Sequence, residues 1–247
     1  MPTESVVVIA LTFVAVAALY SSVGHAGASG YLAVMALFGV APEVMRPTAL
    51  VLNVVAASLG AWRFVRAGLF SWRLFWPLGA ATVPCAFLAG RLRLDATVYK
   101  PILGGVLLLA ALRLFTARSD GDEPAARPPP VPVGLAAGAA IGFVSGLTGT
   151  GGGIFLSPLA LLLRWAGTRQ VAALSSVFIL VTSISGLAGV SSRAAALPPA
   201  LPWFVAAVIA GALVGTQLGV HRLDPRLLRR LLGVVLLIAG GKLLSGL

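Results

Sequence analysis

The sequence predicts an all-α polytopic membrane protein made of two inverted repeats. Three observations carry that prediction. First, 59% of the 247 residues are hydrophobic and only 10% are charged, with mean hydropathy +1.01. Soluble domains carry roughly a quarter charged residues, so this chain could not cover a water-facing surface and takes the bilayer as its solvent. Second, about ten apolar segments follow one another along the chain. Third, the chain repeats itself. Ser22–Leu32 (SVGHAGASGYL) returns in degraded form as Ser145–Phe155 (SGLTGTGGGIF), and Leu94–Phe115 aligns without gaps on Leu223–Leu244. Two related halves, each opening on a glycine-rich break, are the pattern of a secondary transporter built from repeats.

The first half contains apolar segments at 5–22, 30–40, 48–62, 74–89 and 101–115, and the second at 133–145, 154–165, 171–189, 203–220 and 231–244. Residues 1–116 form the first transmembrane repeat, 117–132 a charged, proline-rich cytoplasmic linker, and 133–247 the second repeat. The first segment lacks a basic stretch before it, which favours a retained helix with its N-terminus outside. The second segment of each half is short. Residues 30–40 and 154–165 span about 17–18 Å as helix against a hydrocarbon core of about 30 Å. Each therefore reads as one arm of a re-entrant or short helical hairpin whose glycine-rich turn lies inside the membrane, followed by three transmembrane helices. That gives about 8 to 10 helical segments in all.

Basic residues fix the orientation. Arg63, Arg66 and Arg73, then Arg113, Arg118 and Arg127, Arg164 and Arg169, and Arg222, Arg226, Arg229 and Arg230 fall in one set of loops. Arg46, then Arg91, Arg93 and Lys100, then Arg193 and Lys242 fall in the alternate set. Placing the richer set inside puts 12 Lys/Arg in the cytoplasm and 6 outside, and each half then starts on the opposite side from the other. A count of four crossings per half would instead make the repeats parallel. Arg46, beside Pro47, reads as a charge snorkelling at a segment boundary.

Composition also excludes function classes. The +11 formal charge sits in short loops between apolar spans, so it serves topology and contact with anionic lipid rather than nucleic acid. The single cysteine, Cys85, allows no internal disulfide, and one cysteine with two separated histidines makes no metal site. There is no Gly-x-x-x-x-Gly-Lys loop for ATP, and no cofactor is expected. All seven Asp and Glu map to termini, loops or segment ends, which argues against a carboxylate proton relay.

Function should lie at the breaks. Irregular backbone at membrane depth survives only where it is buried in protein or lines a cavity. A helix that starts from such a break offers unpaired amides and partial positive charge, an anion site that needs no charged side chain. Gly27, Ser29 and Gly30 in the first half and Thr148, Gly149, Thr150, Gly151, Gly152 and Gly153 in the second are the expected substrate contacts. With inverted repeats they would enter from opposite faces and meet near the midplane. Asn53, mid-segment among apolar residues, needs a polar partner, and either contacts the substrate or bonds another helix. Ser175 and Ser176 open the eighth segment and either cap it or line the site. His25 is the candidate for proton coupling, because imidazole titrates near neutrality.

At these residues the chain resembles a known family. The triple glycine Gly151–Gly153, a short apolar helix, Pro158 and the small-polar start Ala173-Leu174-Ser175-Ser176 look like the signature of the sulfite exporter TauE/SafE family. The first half, Gly24 to Tyr31 with Pro47, Thr48, Ala49 and Asn53, looks like its counterpart motif. The resemblance implies a non-enzymatic, multi-pass transporter in the bacterial inner (cell) membrane. It would export a small oxyanion such as sulfite or an organosulfonate. The expected partners are that anion and the lipid bilayer, with a homodimer admissible. The first half has Ala28-Ser29-Gly30 where the second has three glycines.

Two other classes stay open on the sequence. Gly27-Ala28-Ser29-Gly30 matches the Gly-x-Ser-Gly pattern of rhomboid-like intramembrane serine proteases, although His25 is too local to serve Ser29 as a base carried on another helix. A non-transporting membrane scaffold would need no polar space between the breaks.

Overall fold

The computed structural model describes residues 3–22, 24–92, 94–116, 128–191, 197–218, 234, 236–238 and 240–245. The linker over 117–127, Arg93, Arg193, His221 and the arginines of 222–230 lie outside the described residues. The described residues are helical almost throughout. The helices are α1 (Thr3–Ser22), α2 (Ala28–Leu37), α3 (Pro42–Arg66), α4 (Trp72–Arg91), α5 (Ala96–Thr116), α6 (Val131–Thr148), α7 (Gly153–Leu162), α8 (Thr168–Ser191) and α9 (Leu201–Leu218). A tenth, α10, runs over Leu236–Ser245.

Local chemistry sets several of these boundaries. Pro42 opens α3 behind Ala41, where a missing N–H costs nothing, Glu43 lies in the first turn, and Arg63 and Arg66 lie in the last. α3 is longer than the apolar run 48–62, because these charged ends continue the helix past the hydrocarbon-compatible stretch. The second segments are short, as expected. α2 and α7 have ten residues each, about 15 Å of rise, half of what a bilayer core requires. Among the described residues, four helices are long and apolar enough to cross a membrane: Glu4–Ser22, Pro42–Arg66, Val131–Thr148 and Arg169–Ser191. They are the first and third helices of each half.

Many large apolar side chains face outward. Leu11, Leu88, Leu112 and Ile238 are exposed, and Trp62, Trp72 and Trp203 stand outward near helix ends, with the Arg66 guanidinium 4.6 Å above the Trp62 ring. Such a surface suits lipid with an aromatic rim.

The two halves run in opposite directions. α3 and α8 are corresponding helices and lie against each other. Leu50 meets Gly186, Asn53 meets Ser183, and Gly60 meets Ser176, so one helix ascends as the other descends. That excludes the parallel arrangement and gives the inverted one. Around this antiparallel pair, α4 runs parallel to α6 and α1 runs parallel to α9. Gly138, Gly142 and Gly146 of α6 sit on the backbones of Leu78, Thr82 and Ala86, and Gly211 and Gly215 of α9 sit on Val14 and Ala18. Close backbone approach through small residues is how helices associate where no hydrophobic force separates side chain from solvent. The glycines lie on the first helix of the second half in one contact and on the fourth helix of that half in the other. The geometry is conserved between halves while the residue that permits it is supplied by different partners.

The backbone also corrects the repeat register. Gly24 (φ 79°) and Gly27 (φ 101°) are left-handed, and so are Gly149 (φ 84°) and Gly152 (φ 81°). At the far ends of α2 and α7, Gly39 (φ 68°) and Arg164 (φ 54°) occupy the same conformation. There Val40 N donates to Met35 O and Trp165 N to Ala160 O, the same helix-ending turn twice. The structural equivalents are therefore Gly24/Gly149, Gly27/Gly152 and Gly39/Arg164. This is two residues away from the alignment of Ser22 on Ser145, because the glycine run makes several registers score alike. It also places Trp165 beyond α7, not within it.

A side chain at Gly138 would press on the Leu78 backbone, whereas nothing stands within 4 Å of a Cβ at Gly105. Gly138→Leu should destabilise the detergent-solubilised protein by about 1–3 kcal/mol. Gly105→Ala should leave its thermal midpoint essentially unmoved in the same melting assay.

Candidate functional site

α1 stops at Ser22 and α6 at Thr148, and the chain turns through left-handed glycines, Gly24 and Gly27 at the first break and Gly149, Gly151 and Gly152 at the second, before the next short helix begins. The carbonyls released by these breaks find side-chain donors. Ser176 Oγ donates to Gly24 O (2.8 Å), Tyr31 Oη to Ala26 O (2.8 Å) and Tyr99 Oη to Thr148 O (3.0 Å). The amides are treated differently. The N-caps of α2 and α7 are Gly27 and Gly152, which have no capping side chain, so the first-turn N–H groups of both helices are left without that partner.

The two breaks meet. His25, Gly27 and Ser29 from the first and Thr150 and Gly153 from the second border one small buried space, together with Asn53 of α3. Tyr20, Ala26, Ala28, Ile154 and Ile179 complete its wall. Its volume is about 10 Å³, enough for about one water molecule. Asn53 is fully buried, and its Nδ2 lies 3.3 Å from Ser183 Oγ while its Oδ1 has no partner among the described residues. A hydroxyl can donate or accept, so turning the amide over keeps the Ser183 bond and presents the NH2 group instead. Ser145 Oγ and Thr48 Oγ1 are likewise buried without a partner among the described residues. Ser145 Oγ lies where a Cβ on Gly152 would be 2.8 Å away, so it stands against the N-cap of α7.

His25 crosses between halves. Its Nε2 is 2.8 Å from Ser157 Oγ on α7, and Ser157 Oγ is 2.7 Å from Ser175 Oγ on α8. A chain of imidazole and two hydroxyls thus leads from the break into the second half. Ser29 Oγ pairs with Tyr20 Oη at 2.5 Å, and His25 Nε2 bonds Ser157 Oγ of α7.

The remaining expected site residues sit just outside the space. Gly30 packs on Val16 and Tyr20, and Gly149 packs on Arg46. Gly151 abuts Asn53 Nδ2 and Ser183 Oγ, and Gly152 abuts Phe178, Ser145 and Ile141. Thr148 Oγ1 bonds Val144 O (2.8 Å) and Thr150 Oγ1 (3.0 Å). Ser175 joins through Ser157, and Ser176 clamps Gly24 O while also bonding Ala172 O of its own helix. Arg46 departs from the snorkelling expectation. It is 8% exposed, and its guanidinium donates to Ala89 O (2.7 Å) and Leu92 O (3.0 Å), closing the C-terminal end of α4. Two groups that sequence reasoning passed over are Ser157 and Tyr20. Ser157 lies four residues past Gly153, on the same helical face as the start of α7.

An apolar-surfaced helical bundle of opposed repeats, with two uncapped helix starts converging on a buried polar space, defines a multi-pass membrane protein of the inverted-repeat transporter class. Residues 8–243 match the sulfite exporter TauE/SafE family, and the chain belongs to it. It is 40% identical over 249 residues to "Probable membrane transporter protein y4hK" of Sinorhizobium fredii (strain NBRC 101917 / NGR234), covering 99% of this chain and 100% of that protein. No solved structure matches the chain significantly.

Gly152 combines a left-handed φ of 81° with a crowded Cβ position, 2.7 Å from Phe178 Cε1, whereas Gly39 is left-handed with open space around it. Gly39→Ala should therefore cost only the conformational strain, about 1–2 kcal/mol. Gly152→Ala should add about 1–3 kcal/mol of overpacking, read as a clearly larger drop in thermal midpoint.

Proposed function

We propose that this transporter carries a small oxyanion, such as sulfite or an organosulfonate, outward across the bacterial inner membrane. In this reading residues 1–116 and 133–247 are the two transmembrane repeats, and the arginine-flanked linker over 117–132 lies in the cytoplasm. The observation that carries the reading is the convergence of the uncapped starts of α2 and α7 on one buried space beside Asn53. Peptide amides at helix starts favour negative charge without bringing a counter-ion that would hold the solute too tightly to release. Gly27, Ser29, Thr150, Gly153 and Asn53 contact the anion directly. Gly30, Thr148, Gly149, Gly151, Gly152 and Ser176 shape the breaks around it.

The space of about 10 Å³ holds no oxyanion as it stands, so loading requires the helices around it to part on one side and then the other. The name of the family and the membership of the chain in it support the choice of sulfur oxyanions. His25 supplies proton coupling in the same scheme. It borders the space, and its bond to Ser157 and onward to Ser175 gives the proton a path that changes when those helices part.

Purified protein in liposomes, offered sulfite, sulfate, sulfoacetate and taurine with and without a pH gradient, tests this. Flux of at least one oxyanion above that of empty vesicles is expected. Asn53→Ala should reduce its kcat/KM by about tenfold or more, the worth of a hydrogen bond to a charged group. Absence of flux for every oxyanion, with correctly folded protein, would overturn the reading.

Coupling is tested separately. His25→Gln should retain downhill flux but lose the extra accumulation driven by the pH gradient. A variant that still accumulates substrate as the native protein does would remove His25 from the coupling step.

A further inference from the structure

Three of the residues that border the polar space carry hydroxyls: Tyr20, Ser29 and Thr150. Counting their protons separates them. A hydroxyl has one proton to donate and two lone pairs that accept. Thr148 Oγ1 donates to Val144 O at 2.8 Å, so the 3.0 Å bond between Thr148 and Thr150 is made with the Thr150 proton. The Thr150 hydroxyl therefore has no proton to spare for a solute. Tyr20 Oη and Ser29 Oγ lie 2.5 Å apart, and neither makes a second hydrogen bond among the described residues. Two protons serve one bond there, and one is left over.

The fold sets this pair up once. Tyr20 lies in the last turn of α1 and Ser29 in the first turn of α2, so their bond spans the first break, with both residues buried at 6% and 3% exposure. Gly30 permits the approach, because a Cβ there would stand 3.1 Å from Tyr20 Cε2 and push the ring off α2. The other two tyrosines of the chain are committed differently. Tyr31 and Tyr99 donate to Ala26 O and Thr148 O, so their phenol protons are spent on backbone. In the second half, the register that equates Gly27 with Gly152 puts Ser145 in the place of Tyr20 and Ile154 in the place of Ser29. Ile154 has no hydroxyl, and Ser145 Oγ has no partner among the described residues.

We infer that Tyr20 and Ser29 form one coupled donor, which delivers a single O–H to the bound oxyanion and makes Tyr20 a substrate-binding residue. The inference rests on the anion-carrier reading above and deepens it. A phenol is the stronger acid of the two, so the favoured order runs from Tyr20 O–H to Ser29 Oγ and from Ser29 O–H to the anion. The first bond polarises the second, which strengthens it. The order can also reverse. Either atom can be the donor in the pair, and both residues border the space, so the loss of one hydroxyl leaves the other free to reach the solute. The spare proton selects a solute with lone pairs to accept it and works against a cation.

The experiment uses the whole protein in liposomes with sulfite, sulfate, sulfoacetate and taurine, reading KM and kcat for the member carried fastest. Tyr20→Phe and Ser29→Ala each leave one O–H able to reach the anion, so each alone should raise KM about threefold or less. The double variant leaves none and should raise KM about tenfold or more, beyond the product of the two single effects, with kcat within about twofold. A merely structural bond gives the opposite pattern. It is lost whole with either partner, so the single costs overlap and the double variant is no worse than the worse single. A KM for the double variant at or below the product of the single effects, unchanged values included, would overturn the coupled donor and leave the anion carrier standing. Absence of flux for every member of the panel in the native protein would overturn both. If thermal melting shows the double variant to be poorly folded, Ser29→Cys in the Tyr20→Phe background keeps the side-chain shape with only a weak S–H donor and is judged by the same comparison.

Discussion

Backbone that leaves the helical hydrogen-bond ladder inside a membrane must find partners within the protein, and the arrangement of this molecule follows from how its two breaks meet that demand. On the carbonyl side the partners are side chains: Ser176 of α8 for Gly24 and Tyr99 of α5 for Thr148, both remote in sequence, and the nearby Tyr31 of α2 for Ala26. Arg46 does the same for the end of α4. The amide side lacks side-chain caps, because both N-caps are glycine. Both helix starts border one small space, together with Asn53 and His25.

The same bonds tie the halves together. Ser176 reaches Gly24 and His25 reaches Ser157, each spanning from one repeat to the other. The antiparallel α3–α8 contact adds Asn53 and Ser183. The α4–α6 and α1–α9 seams join the halves as well, backbone-to-backbone through glycine, so the two repeats are interlocked by close packing as well as by these polar bonds.

Duplication has not produced two equal halves. The left-handed positions Gly24, Gly27 and Gly39 are repeated at Gly149, Gly152 and Arg164, so the backbone template is shared down to individual turns. Side chains diverge on top of it. Tyr31 and Phe13 close the first half around α2, and the second half leaves α7 partly open. Arg164 shows how far the template constrains: an arginine holds a conformation that favours glycine, because the turn at the end of the short helix is set by the flanking hydrogen bonds.

Much of this was legible in the chain itself. Hydropathy fixed the all-helical membrane class, since an apolar surface cannot face water. The short second segments followed from counting residues against bilayer thickness, and alternation of arginine between loops pointed to inversion. The glycine runs marked both breaks, because few other residues would tolerate turns at that depth. Periodicity and composition could not fix the repeat register, since consecutive glycines align equally well at several offsets. Nor could they reveal that Arg46 is buried against carbonyls 43 and 46 residues away, or that His25 finds Ser157 at a separation of 132. Tertiary structure alone decided which hydroxyls pair across the halves, which glycines face the shared space and which merely permit packing. Those outcomes depend on distances between helices remote in sequence, and a one-dimensional pattern carries no record of such distances.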